Sequence, residues 1–520
     1  MRVTVIIQIK KCLFEEDFPM NTIVIMADSW RYDYLGCYGN DWIQTPNIDR
    51  LAADGMLFEN AYAEGCPTIP TRRALFTGRY TLPYSGWRKL TPQDTTLTDL
   101  MWTNRIQTAM VTDCPMMHMP GYGYARGFNY VDFIRGHQWD SFYQPLPHNL
   151  ELDRFHRPVM EKNAEGQLAE IGPSFLAHQE LIDYLPLRQS WKSDEDQMVA
   201  MTVKAGIDYL DKVDKSAPFF LWLDSFDPHE PWDPPSIWDP DLKCPYDPDY
   251  SGIELINPVA TTTEGYVNEE EARHIRMLYA EKITMVDKWL GKFIDRLKEM
   301  DLYDNSLIIF LSDHGEPLGD NEHGHGIIRK CRPWPYEELS HIPLIIRHPD
   351  GMKGRISSFV ETIDVAATIM DFVNEQTTSV NNIVSLLNPN QDMQPMQGKS
   401  LLPLMRGKAD KVREFVITGY FNFSWSIVSE DWSYIHWLDS KENADKGKMS
   451  ATVGLSSMEE DEGIWTCAPG TAAETPHKDE LYDRRVDPFQ LNNLIDSQPE
   501  TATEMLQVLM DYMIGLRVDS

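Results

Sequence analysis

The chain has 520 residues, 42% of them hydrophobic and 11% aromatic, enough to bury a large core as two domains or as one with an appendage. Lys and Arg number 47 against 80 Asp and Glu, a net charge of −33, which excludes a nucleic-acid partner because no basic surplus is left to neutralise phosphates. No run reaches the roughly 18 apolar residues that a membrane-spanning helix needs, so no membrane partner is expected.

Residues 1–20 read as an N-terminal extension. The apolar segment Val3–Ile9 is short, and Lys10 and Lys11 follow it rather than precede it, the wrong order for a secretory signal. Thr22–Ala27 is a continuous apolar run closing on Asp28. It predicts a buried parallel strand that delivers a carboxylate to the edge where open α/β sheets place ligands. Ile48 to Gly55 reads as a short helix with a glycine stop, and Thr71 to Thr77 as a helix opening just after a turn at Thr68. Phe219–Leu223 is a second buried strand, leading into Asp224-Ser225-Phe226-Asp227-Pro228-His229. Glu269 to Met300 is a long amphipathic helix, with Leu278, Ile283, Val286, Leu290, Phe293 and Leu297 mostly at three- and four-residue steps. Ser306–Leu311 is a third strand, followed by Ser312-Asp313-His314-Gly315, and Leu344–Ile346 is a fourth.

Strands alternating with helices predict an α/β fold with a large mixed, mostly parallel sheet flanked by helices. Residues 375 to 412 are polar and weakly periodic and read as a connector. Beyond them, segments around Trp425, Trp432, Tyr434, Ile435 and Trp437 predict a smaller antiparallel sheet packed on a helix from Ala502 to Leu516. The expected division is an α/β domain over 21–410 and a C-terminal α+β subdomain over 411–520. The seven cysteines, Cys12, Cys37, Cys66, Cys114, Cys244, Cys331 and Cys467, are sparse and form no CxxC pair. They read as reduced thiols of a cytoplasmic protein.

Three strand ends carry chemistry: Asp28, Asp227 with His229, and Asp313 with His314. A lone carboxylate after an apolar run is usually a cap, so the weight falls on what accompanies it. The run Thr68-Ile69-Pro70-Thr71-Arg72, with Thr77-Gly78-Arg79, resembles the sulfatase signature C-x-P-S-R-x-x-x-x-T-G-R, with threonine at the cysteine or serine position. Thr45-Pro46-Asn47-Ile48-Asp49-Arg50-Leu51-Ala52 is similar to the segment preceding that signature. Asp227-Pro228-His229-Glu230-Pro231 resembles the family's P-H-x-P loop. Asp313-His314-Gly315, with Leu318-Gly319-Asp320 and His323-Gly324, resembles its second metal loop. Tyr336-Glu337-Glu338, Gln397-Gly398-Lys399 and Leu481-Tyr482-Asp483 extend the likeness from Asn21 to about Leu494. In that order the set resembles the sulfatase family of the alkaline-phosphatase-like superfamily.

The resemblance implies a hydrolase of ester bonds acting on a small anionic ester, with one divalent metal beneath the nucleophile. By motif position the metal ligands are Asp28, Thr68, Asp313 and His314. Arg72 would hold nucleophile and ligands in place, and His229 would contact the ester oxygen or protonate the leaving oxygen. Substrate contacts fall to His118, His323 and Lys330. His118 is the nearest substitute for the family's missing Lys-x-His, where Asp113, Cys114 and Pro115 stand. Lys330 is one of several basic residues, with His325, Arg329 and Arg332, after the His-Gly loop. Arg135-Gly136-His137 is a further candidate for specificity.

The departures alter the expected chemistry. Ser29 stands where the family usually has a second Asp, and His314 where many members have Asn. One carboxylate fewer and one imidazole more shift the expected metal from calcium toward manganese, zinc or iron. The same pattern resembles the phosphonate monoester hydrolase and phosphodiesterase branch, which keeps the cysteine. Cys66, two residues before Thr68, reads as a structural thiol, because Pro and Arg are not at the spacing that formylglycine formation requires. Formylglycine expels sulfate by collapsing to its aldehyde; threonine cannot, so its ester must be hydrolysed by water attacking the central atom. That chemistry favours phosphate or phosphonate esters, while the overall sequence favours sulfate esters. Two alternatives stay open: a two-metal phosphodiesterase recruiting Asp227, His229 and His323, and a catalytically silent anion-binding relative. Homo-oligomerisation is open as well.

Overall fold

Asn21–Ala27 (β1) forms a wholly buried central strand in the computed structural model of the protein, which describes residues 20–104, 106–138, 140, 150–162, 167–170, 172–330, 334–376, 394–438 and 478–518. Seven more strands complete its sheet: Met56–Tyr62 (β2), Gln107–Thr112 (β3), Tyr130–Phe133 (β4), Phe219–Ser225 (β5), Ser306–Ser312 (β6), Leu344–Arg347 (β7) and Gly354–Glu361 (β8). Their order is β8-β2-β7-β6-β1-β5-β3-β4. β1 runs parallel to both β5 and β6, and β7 runs against both of its neighbours, β2 and β6. The sheet is thus mixed and mostly parallel, as the alternation of elements implies. Ala27 lies opposite Ser225 on one side and Ser312 on the other, so Asp28, Phe226 and Asp313 leave the sheet at one level.

β1, β5 and β6 are apolar runs because helices cover both faces of the sheet. Alternate residues of β1 divide between two cores. Ile23 and Ile25 pack with Leu278, Ile283 and Leu290 of the long helix Glu269–Glu299. Val24 and Met26 pack with Ile69 and Leu75 of Thr68–Thr77 and with Val365 and Ile369 of Thr362–Gln376. In chain order the principal helices are α1 (Pro46–Ala53), α2 (Thr68–Thr77), α3 (Gly172–Arg188), α4 (Met198–Lys212), α5 (Glu269–Glu299), α6 (Thr362–Gln376) and α7 (Pro499–Val518). α5 opens with a reciprocal cap between Asn268 and Glu271 and closes with Arg296 and Lys298, charges that complement its dipole. α1 starts at Pro46, a residue suited to a first turn.

The second sheet is antiparallel, in the order Phe415–Tyr420 (β9), Ser424–Ser429 (β10), Trp432–Trp437 (β11) and Glu480–Asp483 (β12). Ile417, Trp425 and Ile427 pack on Leu509 and Met513 of α7. The polar connector expected over 375 to 412 follows the end of α6 at Gln376 and includes the short helix Leu402–Met405; residues 377–393 lie outside the described residues. So do residues 1–19 and the positions of Cys12, Cys331, Arg332 and Cys467. Cys37, Cys66, Cys114 and Cys244 are free thiols. Among the described residues no helix is long and apolar enough to cross a membrane.

Candidate active site

β1 ends on Asp28, and the chain turns sharply at Ser29, whose φ of 62° lies in the left-handed region that non-glycine residues avoid. Three hydrogen bonds hold it there. Its backbone N–H donates to Asp313 Oδ1 at 3.0 Å, its hydroxyl to Asp28 Oδ1 at 2.7 Å, and its carbonyl accepts from the Tyr279 hydroxyl of α5 at 2.7 Å. The serine at this position therefore orients Asp28.

Thr68 is the first residue of α2, and Arg72 follows one turn later on the same helix face. Both are buried. Arg72 Nη1 donates to Asp28 Oδ2 at 2.9 Å and to Asp313 Oδ2; Nη2 and Nε donate to the two oxygens of Asp224 at 2.9 and 3.3 Å. Asp224, a residue of β5, is not among the sequence candidates. Its signal was the one Asp28 and Asp313 share, a carboxylate closing an apolar run.

His314 faces Thr68 from the end of β6. Its Nδ1–H donates to the Gly315 carbonyl at 2.7 Å, which fixes the tautomer and turns the Nε2 lone pair toward Thr68 Oγ1, 3.1 Å away. Nε2 also lies 3.6 Å from Asp313 Oδ2 and 3.9 Å from Asp28 Oδ1. Burial lowers the His314 pKa to about 4, keeping the ring neutral. Burial and the neighbouring Asp313 charge push the Asp28 carboxyl up to about 6, against the pull of Arg72.

Asp28, Asp313 and His314 offer ligand atoms within 4.8 Å of one another, with the Thr68 oxygen beside them. Three buried carboxylates share the single Arg72 guanidinium, which leaves two negative charges that one divalent cation balances. Two carboxylates, a bare imidazole nitrogen and a hydroxyl form a donor set that such a cation accepts, so these residues fit the implied metal.

Lys330 is held between Glu230 and Glu316, with Nζ at 2.7 and 2.9 Å from their carboxylates. Its positive charge acts on Asp28, His314 and His229 alike. His229 donates Nδ1–H to the Glu230 carbonyl at 2.6 Å and stacks on Phe226 with ring centroids 4.0 Å apart. Burial holds its pKa well below the ordinary value, which leaves a neutral ring with Nε2 as an acceptor.

The other two substrate candidates stand apart. His118 Nε2 lies 3.5 Å from Asp140, the carboxylate that also takes Arg135, and its ring packs on Phe133. His323 is largely exposed, near Asp320 and against Phe489. Neither pairs with the residues around Thr68. The alternative two-metal set of Asp227, His229 and His323 does not gather either. Asp227 is engaged by Lys282 at 2.8 Å and by His137 Nε2 at 3.2 Å, beside the buried Asp113. Lys282 continues to Asp233 at 2.7 Å, so an ammonium group from α5 supplies the cation there.

The sulfatase family pattern matches residues 20–375. An arylsulfatase of Clostridium perfringens is 27% identical over 381 residues, 68% of this chain and 75% of that protein. The multifunctional alkaline phosphatase superfamily protein PehA of Trinickia caryophylli is 26% identical over 419 residues, 71% of this chain and 76% of that one. Among solved structures, a phosphonate monoester hydrolase of Agrobacterium radiobacter superposes with a TM-score of 0.62 at 19% identity, covering 96% of this chain and 95% of the other. With that family match over most of its length and the superfamily's fold throughout, the chain belongs to the sulfatase family, within the alkaline-phosphatase-like superfamily, and is a hydrolase of ester bonds.

Proposed function

We propose that this hydrolase uses Thr68 as an unmodified nucleophile on small phosphate or phosphonate esters in preference to sulfate esters, with one divalent metal held by Asp28, Thr68, Asp313 and His314. The observation that carries the reading is the Thr68 hydroxyl 3.1 Å from the bare Nε2 of His314, at the start of α2. When bound, the metal supplies positive charge that acidifies the hydroxyl and neutralises the ester. Manganese, zinc or iron suits a set containing an imidazole better than calcium does.

Thr68 Oγ forms a bond to phosphorus as the bond to the leaving alcohol oxygen breaks, and the threonine proton ends on that alcohol. Neutral His229, with Nε2 as acceptor, is the group read to carry the proton across. Water then attacks phosphorus as the Thr68 Oγ–phosphorus bond breaks, with His229 taking the water proton and passing it to the departing Thr68 oxygen. The α2 N-terminus and the Lys330 ammonium favour an anion at this place. Phosphorus accepts attack by water, whereas a sulfated threonine lacks the aldehyde route that frees a formylglycine enzyme.

The test is a panel of aryl phosphate mono- and diesters, phosphonates and sulfates, run with manganese, zinc, ferrous iron and calcium. Thr68→Ala is expected to abolish turnover with the fold intact, and Thr68→Ser to retain it. Mass spectrometry of acid-quenched enzyme should find a phosphoryl group on Thr68. Turnover of Thr68→Ala at the wild-type rate would remove the nucleophile assignment, and a sulfate preference would reverse the substrate reading.

A further inference from the structure

Apart from the Thr68 site, two imidazoles and one carboxylate meet from three separate segments. His156 follows the short helix Leu152–Phe155, Glu170 ends the strand Leu168–Glu170 that pairs with Met160–Lys162, and His178 lies on α3. His156 Nε2 is 2.8 Å from Glu170 Oε1, and His178 Nδ1 is 3.5 Å from Glu170 Oε2. The two rings stack, with centroids 5.0 Å apart and planes at 17°, so both nitrogen edges turn to one carboxylate. The three ligand atoms lie within 4.8 Å of one another. Ser174, one turn before His178, donates its hydroxyl to Glu170 Oε1 at 2.5 Å and fixes the carboxylate.

These spacings have a chemical meaning. Zinc bonds of about 2.0–2.1 Å in a tetrahedron set neighbouring donors roughly 3.3 Å apart. The separations of 2.8 Å to Oε1 and 3.5 Å to Oε2, one imidazole on each oxygen of the carboxylate, lie near that edge. His156 Nδ1 is buried without a hydrogen-bond partner, while Nε2 faces Glu170 Oε1 at 2.8 Å, where a bound cation would take the place of the Nε2 proton.

We propose that His156, Glu170 and His178 form a second metal site of zinc type, with three protein donors and a fourth position open to solvent beside the partly exposed His178. Two nitrogens and one oxygen select zinc over calcium or magnesium, which take all-oxygen shells. A bound ion would tie the strand pair and the loop after Phe155 to the first half of α3. The other end of that helix, through Tyr184 and Arg188, holds Asp233 at 2.8 and 3.1 Å.

The experiment uses the full-length protein, stripped with a chelator and titrated with zinc and, separately, with calcium. Calorimetry and elemental analysis give the stoichiometry, and cobalt substitution gives a visible band. Wild type is expected to take one more equivalent of zinc than His178→Ala, whose side chain is exposed enough to change without loss of fold, and than Glu170→Gln. Both variants should keep their hydrolytic activity, and calcium should not fill the site. Asp313→Asn should retain this zinc equivalent, so the site stays readable whatever metal the Thr68 group holds. Equal zinc uptake by wild type and both variants would overturn the proposal.

Discussion

Nη1 of Arg72 donates to Oδ2 of Asp28 at 2.9 Å, with both side chains wholly buried. The same guanidinium reaches Asp224 and Asp313, so its removal strands three buried carboxylates. Arg72→Ala is expected to cost about 3–5 kcal/mol of stability, the range for breaking a buried pair, together with nearly all turnover. Arg72→Lys keeps the charge but not the fork, and should fall between the two. Urea denaturation and turnover check both; an alanine variant with wild-type stability would mean that the carboxylates are neutralised by something else.

Chelation is expected to abolish activity, and re-addition of metal to restore it. Because ligands that bind only the folded state stabilise it, metal at about 100 times its dissociation constant should add about 2.7 kcal/mol. Asp313→Asn should lose both the activity and the metal-dependent part of the stabilisation that the Thr68 group contributes. Full activity in a preparation shown by elemental analysis to be metal-free would rule out the metal requirement.

Gly315 has no room for a side chain. A Cβ there would sit 2.1 Å from the Glu338 carbonyl, a backbone atom that cannot swing aside. Gly315→Ala is expected to displace the loop carrying Asp313 and His314 and to cut turnover at least about tenfold, since ångström-scale shifts of reacting groups are costly. Steady-state kinetics on the folded variant decide it; an unchanged rate would show that the loop absorbs the clash.

Glu338 gives a pH signature outside the site. Burial pushes its carboxyl from 4.5 up to about 8, with Arg31 at 3.3 Å opposing and Oε1 left without a hydrogen-bond partner. The native state therefore keeps a proton that the unfolded chain releases, and stability falls as pH rises from about 4.5 to about 8. Glu338→Gln removes this term. The variant should gain on wild type across that window, by up to about 5 kcal/mol at its upper end if the whole shift is expressed. Denaturation midpoints measured at both ends of the window check the sign; a difference independent of pH would refute it.

Much of the scaffold was legible because its central strands are unbroken apolar runs that end in carboxylates. β3 and β8 were not, because Gln107–Thr112 has polar residues at both ends of a three-residue apolar run and Gly354–Glu361 carries an exposed, polar first half. The direction of β7 is also silent in sequence, since an apolar run looks the same read against its neighbours. The Asp28, Thr68, Arg72, Asp313 and His314 group was legible as spaced motifs, but the third carboxylate on Arg72 required strand register. His118 and His323 show the limit of nearness in a motif. His323 lies a few residues beyond the Asp313 loop, yet that loop carries it out to solvent beside Asp320.

The alignment of Ala27 with Ser225 and Ser312 has a consequence for how such a site can change over time. Sliding β1 by one residue would turn Ile23 and Ile25 into the opposite core and carry Asp28 away from Asp313 in the same move. The backbone is thus a fixed template, and new chemistry can enter only by exchanging side chains on it. Ser29, the second residue after β1, stands at a position that this register keeps still.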